Sequence, residues 1–323
     1  MNYRTLGRTG VQVSNLCFGA MSFGSIADEE TSKAMFNRCR EVGINFFDTA
    51  DVYAGGRSEE ILGRLIADCR QDIVLTSKFC LPMGKGINSK GMSRRHMVLS
   101  VEESLRRLGT DWIDVYFVHH FDAETAIEDT LRGLDDLQKQ GKILYPAVSN
   151  WAAWQIAKAL GISSKEGLAR FECIQPMYNL VKRQTEVEIL PLAQSEQVGV
   201  ITYSPLAAGL LTGKYNGGAK PEQGRFVEHQ GTQLRYGEQQ HWDVAERFHK
   251  HAAERGEHPA SLAIAWVMAN PAVTAPIIGA RNLEQLEPLL GALDVRMTPE
   301  WRQDISALSI APPPATDRTE ELA

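Results

Sequence analysis

INFFDTADVYAGGRSEEILG, residues Ile44 to Gly63, is the stretch around which the chain is organised. The apolar run Ile44 to Phe47 stops at Asp48, and a polar loop carries Asp51, Tyr53 and Gly55-Gly56 into a helical segment from Ser58. Ser58 is placed to cap that helix, and Glu59 and Glu60 favour its dipole. A strand ending in an acid, followed at once by a phenol on a glycine-rich turn, suits a site at the carboxyl end of a parallel sheet. Taken alone, the same residues also suit ordinary turn chemistry.

The strand-then-helix order recurs on both sides. Leu16 to Met21 precedes Met35, Cys39 and Val42 at helical spacing, and Ile73 to Lys78 precedes the stripe Val98, Val101, Leu105 and Leu108. Ile113 to Val118 runs into His119-His120, with Ile127, Leu131, Leu134 and Leu137 beyond. Strands over Ile143 to Val148, Phe171 to Gln175 and Val198 to Tyr203 follow, with helices over Ala152 to Leu160 and Glu186 to Gln194 between them. Helical segments over Trp242 to Glu254 and Pro259 to Ala269 lead to Val273 to Ile278 and Leu283 to Leu290, the eighth unit.

Eight such units without a composition break predict one domain over residues 1–323, a (β/α)8 TIM barrel with extra helices. Tyr3 to Leu6 and Val11 to Ser14, around Gly7 and Gly10, read as a hairpin cap. Residues 209–240 read as a long polar loop and 308–323 as a tail in which Pro312 to Pro314 forbid helix. A doubly wound open sheet is the competitor, but no Gly-x-Gly-x-x-Gly follows the first strand. GLLTGK, Gly209 to Lys214, is one residue short of a P-loop and is followed by Tyr215, which argues against nucleotide hydrolysis.

With 323 residues, 43% of them hydrophobic, the chain can bury a large core. A net charge of -6 gives no general attraction for nucleic acid or anionic membrane, and no apolar run approaches the roughly 18 residues of a membrane span. The opening residues lack an apolar signal core, and the five scattered cysteines favour reduced thiols; the expectation is a cytoplasmic protein. Adjacent His119 and His120 point apart on a strand, so no metal site is expected.

In a barrel the carboxyl ends of all strands open on one face, where Asp48, Tyr53, Lys78 and His119 would converge. Each has a plain structural explanation alone; together they make a proton donor. A free phenol of pKa about 10 is a weak acid at neutral pH, but a lysine ammonium beside it favours phenolate, and an ionised Asp48 would keep Lys78 charged. His119 could align a substrate oxygen. That is general acid catalysis with electrostatic assistance, and Asp51 reads as a turn residue beside it.

LGRTGVQVSNLCFGAMSFG, INFFDTADVYAGG, IVLTSKF, IDVYFVHHFD, GKILYPAVSN, IQPMYN, GVITYSPLAAGLLTGKY and APIIGARNLEQLE, in that order, resemble the aldo-keto reductases over nearly the whole chain. Within that family the pattern most resembles the potassium-channel β subunits and related bacterial reductases. The resemblance implies Tyr53 as proton donor, Asp48 and Lys78 tuning it, His119 orienting the carbonyl, and an aldehyde or ketone as small-molecule substrate. It also implies a nicotinamide cofactor across the barrel mouth. Ser149, Asn150 and Gln175 would hold its carboxamide, Tyr203 would stack on the ring, and Met21 and Asp48 would border it. Ser204, Pro205, Leu206, Gly209, Leu210 and Lys214 would cover the pyrophosphate, with Arg225 helping. Gly279, Arg281 and Gln285 would surround the adenosine. Arg281 offers a forked donor for a 2′-phosphate, so NADPH is expected over NADH.

Pro288-Leu289 stands where many members have a Glu-Asn pair against adenine. Pro146, inside the fifth strand, predicts a bulge or local irregularity just before Ser149. Expected pocket walls are Met21, Phe23, Tyr53, Phe79 to Met83, Phe121, Trp151, residues 223–236 and the tail near Pro312. A cofactor-sensing regulatory subunit with little turnover is the rival reading, and monomer and small homo-oligomer both stand.

Overall fold

A computed structural model describes residues 1–215, 224, 226, 230–318 and 320. β1 (Tyr3–Thr5) and β2 (Gln12–Ser14) pair antiparallel in the expected hairpin. Strand and helix then alternate through β3 (Cys17–Gly19), α1 (Glu29–Glu41), β4 (Phe46–Asp48), α2 (Arg57–Ile66), β5 (Val74–Phe79), α3 (Arg94–Leu108) and β6 (Ile113–Val118). The series continues through α4 (Ile127–Lys139), β7 (Ile143–Ser149), α5 (Ala153–Glu166), β8 (Cys173–Gln175), α6 (Ile189–Ser195) and β9 (Gly199–Thr202). After α7 (Gln230–Tyr236), α8 (Gln239–Glu254) and α9 (Pro259–Met268) come β10 (Ala275–Ile278), α10 (Leu283–Leu290) and α11 (Pro299–Ser306). Among the described residues no helix is long and apolar enough to cross a membrane.

β3 to β10 pair in parallel, and β10 bonds both β9 and β3, so the eight strands close into a barrel. Closure leaves no sheet edge and rules out the open doubly wound alternative. Strand alternation then sorts the side chains. Phe46, Val74, Val115, Phe117, Cys173 and Ile201 fill the barrel's interior, and Leu6 and Val13 of the hairpin pack against them. Phe18, Phe47, Leu75, Tyr116 and Val118 point outward to the helices. The upper interior positions, next in the same alternation, are left to polar residues.

Four local expectations need correction. Ser58 does not cap α2: Gly56, in left-handed conformation at φ 95°, holds the cap position, while the Ser58 hydroxyl donates to Ala20 O (2.7 Å). Ser58 is spent tying the loop to the neighbouring strand's end. Pro146 makes no bulge, since β7 keeps register with β6 from Val115↔Tyr145 through Val118↔Val148. Its carbonyl accepts from Glu172 N (2.9 Å), ahead of the first residue of β8, so the missing N–H falls below the ladder. Residues 209–240 are not one loop, because the end of the 3-10 turn Ala207–Thr212, all of α7 and the start of α8 fall within them. And α11, unanticipated, is started by Thr298, whose Oγ1 accepts from Trp301 N (3.2 Å), with proline at its first turn.

Gly63 marks the closest approach of α2 to α3. A Cβ there would lie 2.4 Å from Leu108 O, a backbone atom that cannot rotate away. Gly63→Ala therefore sets a helix-propensity gain of about 1 kcal/mol against an overpacking cost of about 1–3 kcal/mol. The clash wins: urea unfolding should show net destabilisation, and an unchanged midpoint would mean the helices separate freely.

Candidate active site

Asp48, Lys78 and His119 occupy successive upper interior positions because each lies an even number of residues beyond an interior apolar one, Phe46, Val74 and Phe117. Lys78 Nζ donates to Asp48 Oδ2 (2.6 Å) and Thr49 O (2.7 Å). Asp48 Oδ1 accepts from Thr76 Oγ1 (2.6 Å) and Gln175 Nε2 (2.9 Å). The carboxylate is thus saturated by three side chains, and the pair is buried, with Lys78 at 0% and Asp48 at 4% side-chain exposure. Thr76 was not anticipated as a partner, although it stands two residues before Lys78 on the same face. Burial works against the Lys78 charge, yet the Asp48 carboxylate and the Tyr53 hydroxyl outweigh it and hold the ammonium above its ordinary value.

Tyr53 reaches this pair through an unusual loop. Ala54, Gly55 and Gly56 are all left-handed, at φ 51°, 62° and 95°, which folds the chain back so that the phenol lies over the strand ends. Gly56 is required twice over, by its φ and because a Cβ would lie 2.7 Å from Arg107 Cδ. Lys78 Nζ sits 5.0 Å from the centre of the Tyr53 ring, and the His119 ring meets it edge-on at 6.0 Å. Burial, reinforced by Lys78 and His120, pushes the His119 imidazole down to about 3, so it is neutral at neutral pH. Its Nδ1 is buried and has no hydrogen-bond partner among the described residues. A neutral imidazole beside the phenol can donate or accept one hydrogen bond to a substrate oxygen without competing for the proton.

The expected amide clamp forms a continuous network with these groups. Ser149 Oγ donates to Gln175 O (2.9 Å), Asn150 Nδ2 donates to Ser149 Oγ (3.0 Å) and His119 O (3.0 Å), and Tyr203 OH donates to Asn150 Oδ1 (2.7 Å). Asn150 is left-handed at φ 59°, as are Ser204 (58°), Ala207 (48°) and Ala208 (56°) after β9. Strained non-glycine residues gathered at one end of a barrel are held there by their surroundings and point to a site. Lys214 folds back over this turn, so that a Cβ at Gly209 would lie 2.8 Å from its Cε.

Ser204, Leu206 and Gly209 are half-buried in that turn, whereas the Pro205 and Leu210 side chains are buried. Across the mouth, Met21 is 44% exposed and Gly279 is exposed beside Gly19 O. Arg281 N donates to Gln285 Oε1 (3.2 Å) at the start of α10. Arg225 lies outside the described residues. Pro288 O accepts from Ser261 Oγ (2.6 Å) and Leu289 is buried, so both residues are spent on packing α10.

The expected pocket walls divide. Phe23, Phe79 and Tyr236 are fully buried in the core, Phe79 because the residue after an inward Lys78 must face outward. Phe121 is half-buried beside His119-His120, edge-on to Trp151 (5.0 Å) and 6.4 Å from the exposed Trp154, which sequence reasoning did not single out.

The eight strands close a parallel barrel over a buried acid–lysine pair that lies beneath a tyrosine at its carboxyl-terminal mouth. The Aldo/keto reductase family model matches residues 15–310, and the chain belongs to that family. It is 38% identical to a probable voltage-gated potassium channel subunit beta of Oryza sativa subsp. japonica, over 98% of this chain and 99% of that protein. A protein of the same description from Arabidopsis thaliana is 40% identical over 91% and 92% of the two chains. An uncharacterized oxidoreductase of Bacillus subtilis is 35% identical over the full length of both.

Proposed function

We propose that the barrel reduces an aldehyde or ketone to the alcohol with NADPH as reductant and Tyr53 as proton donor. The observation that carries the reading is the buried Lys78 ammonium, bonded to Asp48 and set against the Tyr53 ring. As the Tyr53 O–H gives up its proton to a developing alkoxide, negative charge grows on the phenol oxygen, and the ammonium stabilises it. Asp48, with Thr76 and Gln175, fixes that ammonium in place. His119, neutral, orients the carbonyl oxygen toward Tyr53.

Ser149, Asn150, Gln175 and Tyr203 would hold the nicotinamide. Met21 would border it, and Ser204, Pro205, Leu206, Gly209, Leu210 and Lys214 would cover the pyrophosphate. Gly279, Arg281 and Gln285 would take the adenosine. The left-handed turn at Ala207 and Ala208 with Lys214 folded over Gly209 fits an anionic group. The bound cofactor supplies a hydride. Arg281 at the start of α10 supports NADPH over NADH. Leu289, being buried, offers adenine nothing polar.

The printed names of the rice and Arabidopsis relatives favour a second reading, in which the same barrel binds NADPH and reports its redox state to a partner with little turnover. One assay separates the two. Purified protein is expected to oxidise NADPH, and NADH more weakly, with members of a panel of aldehydes, ketones and quinones. Tight NADPH binding without turnover on any of them would favour the sensor.

A further inference from the structure

Behind the candidate site, on the outer face of the barrel, lies a buried polar cluster that the proposed chemistry does not use. Glu59 of α2 accepts from Ser77 Oγ (2.6 Å) and from Arg107 Nε of α3 (2.7 Å). Beside it stands Asp51, on the loop that carries Tyr53; it is 1% exposed, and neither carboxyl oxygen has a hydrogen-bond partner among the described residues. Asp51 lies in a turn closed by Tyr53 N donating to Ala50 O (3.1 Å). Its carboxyl group borders a cavity of about 550 Å³ lined also by Met83, Ser89, His96, Glu103 and Arg107. Its own N–H donates to Lys78 O (3.2 Å), so Asp51 joins the Tyr53 loop to the strand bearing the lysine.

We propose that Asp51 is a positioning residue for Tyr53: uncharged, it lets the loop lie against Glu59 and the end of β5, and charged, it drives the loop away from Glu59 toward water, carrying Tyr53 with it. A buried carboxylate with no side-chain donor, beside the Arg107-paired Glu59, is costly, and the loop is the part able to move it toward water. The groups that face it are Glu59 from α2, Lys78 and Cys80 from β5 and its end, and Tyr116 from β6. From α3 come Arg107 and, around the cavity, Arg95, His96 and Glu103. Burial first, then Glu59, pushes the Asp51 carboxyl up to about 8, against the opposing pull of the Val52 backbone N–H, Arg107 and Lys78. The sign follows: the loop is seated below that pH and released above it.

The inference rests on the carbonyl-reductase reading only for its kinetic arm. In that arm kcat in the unaltered protein is expected to fall above the Asp51 midpoint, and Asp51→Asn should move this fall to higher pH, leaving only the limb of the Tyr53 acid, with KM for NADPH unmoved. The second arm needs no turnover. In cofactor-free Tyr53→Phe, where the phenol no longer titrates, the Val52 amide resonance should still shift with a midpoint near pH 8. A Val52 amide that stays still between pH 6.5 and 9.5 overturns the proposal whether or not Asp51→Asn folds, and so does an alkaline limb whose midpoint is unchanged in Asp51→Asn. An amide that titrates in a protein without turnover sinks the reductase reading and leaves this one standing.

Discussion

Tyr53→Phe is expected to lose carbonyl reduction while keeping NADPH binding. The substitution removes the oxygen that faces Lys78 but keeps the left-handed turn at Ala54 to Gly56 and the ring's edge contact with His119, neither of which needs the hydroxyl. What disappears is the proton for the alkoxide. General acid catalysis contributes about a hundred- to ten-thousand-fold, so kcat should drop by that much, with the loss in kcat/KM of similar size. Cofactor titration by fluorescence should give an affinity close to that of the unaltered protein, because the proposed cofactor contacts lie on Ser149, Asn150, Gln175 and the loops after β9 and β10. Turnover within a few-fold of normal would rule out Tyr53 as the acid.

Lys78→Met should cost both activity and stability. Removing the ammonium leaves the Asp48 carboxylate buried with Thr76 and Gln175 as donors but no counter-charge, above an interior lined by Phe46 and Phe117. Breaking a buried ion pair from one side costs about 3–5 kcal/mol. Replacing both partners relieves most of it, so adding Asp48→Asn to Lys78→Met should recover stability without recovering turnover. Urea unfolding of the single and double variants measures the coupling, and steady-state kinetics measures the chemistry. Additive losses in stability would mean that the pair does not act as a unit.

Much of the fold was legible because each strand-helix unit is a local pattern. Ile113–Val118 and Leu283–Leu290 fall on the predicted residues, and the other barrel strands lie within their predicted runs or overrun them by one residue at the carboxyl end. Local patterns give no side-chain partners across the sheet. Ser58 has the residue type and place of a cap, yet a hydroxyl takes the nearest acceptor in space, and that is Ala20 O on another strand's end. Phe79 has the residue type of a pocket wall, and the direction of its neighbour Lys78 sends it into the core. Thr76 carried a signal, since the period of two that points Lys78 inward points Thr76 inward as well.

The sequence by itself determined the eight units, the acid, phenol, lysine and imidazole at strand ends, and the family to which they belong. Composition and periodicity act along the chain, so a linear reading recovers them. Only the tertiary structure decided that Lys78 and Asp48 are a dry bonded pair, that His119 is held neutral, and that the Asp51 turn buries its carboxyl group without a side-chain partner among the described residues. Charge state depends on burial and on neighbours brought from other strands and helices, and those are fixed only when the barrel closes.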